Sequence, residues 1–429
     1  HIESMSCYAV MLDKGEGIKS NKKEAAYYYK IAADNGNTNA MYNYSKMLDK
    51  GDGVPINKDE SNRYLKLAVD KGNAEAMIQY GKILSRNKSN EGNNEESMKY
   101  YKMAADEGDV DAMLNYARIL RKGDGIETNK EEASKYFKMA ADRGNTEGMN
   151  NYAEMLNKGE GIELNIEESL RYYKMSSMSG DSQGMLNYAT ILMSGENTNN
   201  EYEEAAIYMK RSADKGNITA MSKYGSMLKN GKGVAVNKEL ACEYMKAAAD
   251  KGHAGAMFNY GCMLKKGAGV PQNNEAAAKY FKMSADEGCI PGMFKYGCLV
   301  KSGEGIPINK EEASRYFKMA ADQGDTDSMN NYGMMLQIGE GIEKNSSEAC
   351  RYFKMSADNG SKVGMYKYGQ MLKNGEGTSQ DDQSACKYFK QAIDKGHIDS
   401  LNEYGLMLKE GRGIEQNYDE AAKYFKLAA

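Results

Sequence analysis

The sequence predicts an all-α fold, an α/α solenoid coiled as a right-handed superhelix of twelve 36-residue helix-turn-helix repeats. Three observations carry this. The block Asn309 to Gly324 returns 36 residues on at Asn345 to Gly360 and 36 residues earlier at Asn273 to Gly288. Glycine stands at 36, 72, 108, 144, 180, 216, 252, 288, 324, 360 and 396, so no repeat has gained or lost a residue. Within each block the apolar residues fall at helical spacing, as in Ala313, Tyr316, Phe317, Ala320 and Ala321. A fixed period of this length marks an array in which each unit buries its apolar face only against its neighbours.

The 429 residues therefore read as a single solenoid and not as the three or so globular domains that length alone would allow. Its repeats are 1–36, 37–72, 73–108, 109–144, 145–180, 181–216, 217–252, 253–288, 289–324, 325–360, 361–396 and 397–429. His1 occupies the first column of a repeat and Ala429 ends three residues short of completing the twelfth. Neither end carries an atypical polar capping repeat, so a fragment of a longer protein is expected.

Repeats open with an N-cap directly after the glycine, most often Asn or Asp, as Asn37 follows Gly36. Its first helix, helix A, carries Met41, Tyr44, Met47 and Leu48, with a small residue at Ser45 that admits a neighbouring helix closely. Tyrosine fills the Tyr44 column in all twelve repeats, from Tyr8 to Tyr404. Helix A stops at a Gly-x-Gly pair such as Gly51 and Gly53, and an Ile or Val follows to fold back on the core. Then comes Asn with Glu three residues on, the capping-box spacing, as at Asn57/Glu60 and Asn309/Glu312. Helix B buries its Ala/Tyr/Phe stripe and sets acid before base at i, i+4 on its outer face: Glu131 to Lys135, Glu167 to Arg171, Glu311 to Arg315. Two turns depart from the pattern, at 85–94 and 195–200, and the core columns resume in phase after both.

Laid out this way, the chain resembles the Sel-one-like repeat (SLR) family, an α/α relative of the tetratricopeptide repeat. The match reads Ala256-Met257, Tyr260-Gly261, Gly267-Ala268-Gly269-Val270, Ala277, Tyr280-Phe281, Ser284-Ala285 and Gly288, and it covers all 429 residues. The family's Leu-Gly-x-x-Tyr order becomes Tyr-Gly-x-Met-Leu here, so Tyr and Leu trade places. The resemblance implies an adaptor that assembles signalling or membrane-associated complexes. A cysteine-rich branch of the family is linked to β-lactam binding. That branch staples each repeat with two cysteines, whereas only repeat 289–324 here has two.

Chemistry beyond architecture finds little support. Lys+Arg 57 against Asp+Glu 61 gives a net charge of −4, which argues against a nucleic-acid partner. No apolar run approaches the roughly 18 residues of a membrane span. The seven cysteines are scattered, and those one repeat apart sit too far apart to pair, so free thiols and a reducing, cytoplasmic setting are expected. The Gly-x-Gly turns follow helices and lack the Gly-Lys-Ser/Thr ending of a phosphate loop. His253 and His397 fall in the N-cap column with no ligand cluster beside them. The Asp that recurs two residues before the helix-ending glycine, as in Asp286 and Asp322, opposes the helix dipole and is read as a hydrogen-bond partner of the next repeat. The chain is thus read as no enzyme, with no catalytic residue, metal or cofactor.

One set of columns on helix A varies while its neighbours hold. It supplies Asn115, Asn151, Asn187, Lys223, Asn259, Lys295, Asn331 and Lys367, and beside them Tyr42, Leu114, Leu186, Phe258, Phe294 and Tyr366. By analogy with tetratricopeptide arrays helix A lines a concave groove. There an Asn/Lys ladder hydrogen-bonds an extended peptide and the apolar residues make pockets for its side chains. The partner is thus a protein or extended peptide. The rival readings are self-association through uncapped ends that stack and, by family analogy, a β-lactam-binding enzyme.

Overall fold

The computed structural model describes residues 1–86, 92–123, 127–194 and 199–429. Two compact units divide the chain, His1–Gly195 and Glu196–Ala429. Among the described residues there are twenty-four α-helices and no strand. The first unit holds five A/B helix pairs and a sixth A helix, Ser182–Leu192; the second opens on the B helix Asn199–Asp214 and continues with six pairs. In both, helices follow one another as antiparallel hairpins that stack in chain order.

Local chemistry sets each helix. The helix Lys22–Asp34 closes with Gly36 at φ +96°, its N–H on Ala33 O at 2.9 Å and the Asn37 N–H on Ala32 O at 3.0 Å. That pair of bonds is a Schellman closure. Asn37 then turns cap: its side chain accepts the Ala40 N–H at 2.8 Å and starts Thr38–Lys50. One residue thus ends one helix and begins the next, which keeps the link so short. The second cap differs from the expected box. Asn57 accepts the Glu60 N–H at 3.1 Å, but its own N–H donates to Leu48 O at 3.0 Å. With that backbone donor satisfied by helix A, Glu60 instead accepts from the Asn57 side-chain amide at 3.3 Å.

The Gly-x-Gly turn is a contact between repeats as well as a helix stop. A Cβ on Gly341 would stand 2.3 Å from the backbone carbon of Lys310, the first residue of the preceding repeat's helix B. No side chain fits there, so the second glycine lets the turn lie directly on the neighbouring helix start. Val54, Ile306 and Ile414 after these turns are half-buried, and Ile414 packs on a core cluster that includes Phe389 and Leu408. Gly125 with Ile126, and the centres of the two altered turns, 87–91 and 195–198, lie outside the described residues.

Helix A and helix B of a repeat meet edge to face: Tyr296 and Tyr316 have ring centroids 4.8 Å apart at 84°. The small residue beside the helix-A tyrosine takes the partner ring, since a Cβ on Gly297 would fall 2.9 Å from Phe317. Phe317, Phe353 and Phe389 are fully buried, each contributing about 1.5–3 kcal/mol by the usual burial scale. On the outer face Glu131 pairs with Lys135 at 2.8 Å as expected. The other two expected pairs do not form. Arg171 and Arg315 lie over the rings of Tyr172 and Tyr316, and Arg315 reaches Glu312 at 3.9 Å rather than Glu311. A flat guanidinium covers an adjacent ring more readily than it pairs with an exposed carboxylate. No helix among the described residues is long and apolar enough to cross a membrane.

Candidate partner-binding face

The varying columns lie on the A helices of both units. Their amides are not idle. In the first unit the Asn115 side chain donates to Asp111 O at 2.9 Å and accepts from Arg118 at 3.0 Å. Asn151 donates to Glu147 O at 2.9 Å and accepts from Arg121 at 3.3 Å. Asn187 accepts from Gln183 at 2.9 Å. Leu114 and Leu186 are buried, so they complete the core and open no pocket. Tyr42 is half-buried.

Asn115 and Asn151 belong to a charge network that the column analysis missed. Arg121, only 18% exposed along its side chain, bridges Glu154 at 3.1 Å and Glu160 at 2.8 Å, and Lys130 closes on Glu160 at 2.7 Å. Arg118 pairs with Glu147 one repeat on. Its sequence signal is a base followed 39 residues later by an acid. That signal recurs in the second unit as Lys265–Glu304 at 2.9 Å and Lys301–Glu340 at 3.1 Å.

Between the A helices Thr146–Lys158 and Ser182–Leu192 lies an open cleft of about 650 Å³. Asn151, Glu154, Asn187 and Thr190 line it, and the buried Tyr173 of helix B reaches it from below. Burial, with the nearby Glu154 carboxylate, pushes the Tyr173 hydroxyl well above its ordinary range.

In the second unit the face is more basic. Lys223 is half-buried, and desolvation lowers its ammonium pKa. Lys295 is exposed and stands 5.5 Å over the Phe294 ring; Lys367 stands 5.5 Å over Tyr366 and donates to Gln370 at 3.5 Å. Asn331 donates to Asp327 O at 2.9 Å, and Asn259 is half-buried. The aromatics face two ways. Phe258, Phe294 and Tyr366 rest on Phe281, Phe317 and Phe389 at 5.7, 6.0 and 6.1 Å, and their outer edges remain half-exposed. Tyr366 also stacks on His397 at 4.5 Å.

The remaining candidates resolve into architecture. His253 accepts the Ala256 N–H at 3.0 Å and caps its helix, whereas His397 accepts the Ser400 N–H at 3.3 Å from one residue before the N-cap Ile398. All seven cysteines are free thiols. Among the described residues no cluster of His, Cys, Asp and Glu has the geometry to hold a metal ion.

Stacked helical hairpins, glycine-stopped turns and a varied A-helix face define an α/α repeat protein, a fold typical of interaction scaffolds. The chain belongs to the Sel1 repeat family: the Sel1 repeat model matches twelve consecutive windows, from 3–37 and 38–73 through to 398–429. Among solved structures it is similar to c5321, a protective antigen of uropathogenic Escherichia coli with an SLR fold. That match has 22% identity over 94% of this chain and 86% of the other, with a TM-score of 0.69. A Sel1 repeat protein from Oxalobacter formigenes matches at 22% identity over 73% of this chain and 91% of its own, with a TM-score of 0.61. No curated protein sequence matches the chain.

Proposed function

We propose that the chain is a scaffold that holds an extended peptide or a partner domain along the exposed side of its A helices. The observation behind this is the division of labour among columns. The column tyrosines and alanines serve mainly in packing and helix-B aspartates such as Asp286 and Asp322 bond the next repeat, whereas the column of Asn259, Lys295, Asn331 and Lys367 changes from repeat to repeat and keeps solvent access. Half-exposed Phe258, Phe294 and Tyr366 stand beside it. Rigid polar groups at one-repeat intervals next to aromatic edges suit main-chain hydrogen bonding with side-chain contacts between.

The test is affinity capture from cells of the source organism, with Asn259→Ala/Lys295→Ala/Asn331→Ala/Lys367→Ala in parallel and matched far-UV circular dichroism. A protein kept by the native chain and lost by the folded variant supports the reading. Identical captured sets would refute it.

A further inference from the structure

Charge on the A-helix side is distributed unevenly from helix to helix. In the first unit Arg118 is neutralised by Glu147, and Arg121 by Glu154 and Glu160. On helix B, lysines pair with the aspartate four residues on, as in Lys246–Asp250 at 2.9 Å and Lys318–Asp322 at 2.7 Å. In the second unit Lys265 and Lys301 pair with Glu304 and Glu340. Lys229, Lys266 and Lys295 form no ion pair among the described residues. They come from three successive A helices, Ile218–Asn230, Ala254–Lys266 and Ile290–Ser302. Those three helices carry no Asp or Glu, and Lys266 and Lys295 are exposed and Lys229 half-buried on them. Asn259, one turn before Cys262, has no side-chain hydrogen-bond partner among the described residues.

We propose that this face binds the acidic side chains of an extended peptide, with Lys229, Lys266 and Lys295 as the cations and Asn259 bonding the peptide backbone. The inference rests on the scaffold reading and gives its partner a chemistry. Spacing favours a peptide over a nucleic acid. Neighbouring helices sit roughly 8–10 Å apart, and an extended chain advances about 3.3 Å per residue, so carboxylates at every third residue meet successive A helices. Duplex DNA carries a charge every ~1.7 Å. It would leave most of its phosphates unanswered here, among half-buried Phe258, Phe294, Cys262 and Cys298.

The experiment uses the full chain and a fluorescein-labelled decapeptide with Glu at every third position and Gln and Ser between, read by fluorescence anisotropy. Two further probes are its Gln-for-Glu version and an isomer with the glutamates adjacent. Lys229→Gln/Lys266→Gln/Lys295→Gln is compared with Lys279→Gln/Lys387→Gln/Lys423→Gln, an equal charge change on exposed helix-B positions. The expected result is binding of the spaced acidic peptide that weakens by roughly tenfold or more in the first variant, the scale of three exposed charge contacts. The second variant should leave it unchanged, and raised salt should weaken it in the native chain. Equal loss in both variants overturns the proposal, as does competition by oligo(dT) at matched charge. Equal binding of the neutral peptide removes the acidic chemistry and leaves the scaffold standing. Binding of no peptide also overturns the inference, and the capture experiment with the four-residue variant then decides the scaffold reading separately.

Discussion

Tyr316 donates its hydroxyl proton to the Asp286 carboxylate across 2.6 Å, joining helix B of one repeat to the end of helix B in the repeat before it. The bond recurs thirty residues apart as Tyr136–Asp106, Tyr172–Asp142, Tyr244–Asp214, Tyr280–Asp250 and Tyr352–Asp322. An aspartate near a helix C-terminus opposes the dipole by a few tenths of a kcal/mol to about 1. A hydrogen bond to a charged acceptor is worth about 1.5–3 kcal/mol, so the bond to the next repeat outweighs the cost. Tyr316→Phe should therefore destabilise the chain by about 1–3 kcal/mol in urea unfolding. Tyr388→Phe, whose hydroxyl has no hydrogen-bond partner among the described residues, should stay within about 0.5 kcal/mol. Equal effects would remove the bond from the account of repeat coupling.

Two glycines with similar backbones should respond very differently to alanine. Gly324 sits at φ +97° with nothing within 4 Å of an added Cβ, and Gly341 at φ +70° with Lys310 backbone at 2.3 Å. Gly324→Ala should cost only left-handed strain, about 1 kcal/mol. Gly341→Ala adds a backbone clash that no side chain can relieve, so a loss of more than about 3 kcal/mol is expected. Thermal unfolding of the two variants side by side decides it. Equal costs would mean that the turn does not bear on the preceding helix.

The same aspartates give stability a pH dependence. Hydrogen bonding from Lys138, Lys210 and Lys246 holds the Asp142, Asp214 and Asp250 carboxyls below their ordinary value, with help from the tyrosines. A carboxyl depressed in the folded state stabilises above its unfolded pKa of about 3.9, and that contribution is lost as pH falls through the folded value. Urea midpoints should hold level between about pH 5 and 7 and fall below about pH 4. Asp250→Asn should flatten that fall, and an unaltered profile would assign it to other groups.

The helical hairpins were legible because every step of the path is local: Asn caps, glycine stops and a helical stripe each act within a few residues. Contacts between repeats were legible only in outline. The sequence marked Asp286 as bound to the next repeat but not Tyr316 as its donor, since that pairing depends on how the hairpins stack. Arg315 shows a second limit. Its spacing from Glu311 permits an ion pair, but the Tyr316 ring beside it competes, and spacing cannot rank the two. The A-helix face shows a third. A column that varies reads as free, yet Asn115, Asn151 and Asn331 spend an amide proton on the carbonyl four residues back. The unpaired lysines appear only once Lys265 and Lys301 are seen to be neutralised 39 residues away.

The thiols offer a check on packing that needs no mutation. Cys7 is exposed, whereas Cys242, Cys350 and Cys386 are buried in helix B. Burial and the neighbouring Asp382 carboxylate push the Cys386 thiol up to about 11, and the thiol donates to Arg412 O at 3.2 Å. With a pKa that high, only about one thiol in a thousand is ionised at pH 8, and alkylation proceeds through the thiolate. Iodoacetamide followed by peptide mass spectrometry should label Cys7 within minutes and leave Cys386 unmodified until urea opens the repeat. Because access and ionisation both require that opening, the Cys386 rate should track the unfolding equilibrium as urea rises. Labelling of Cys386 in the folded chain at the Cys7 rate would mean that the 361–396 hairpin is not closed against the 397–429 repeat.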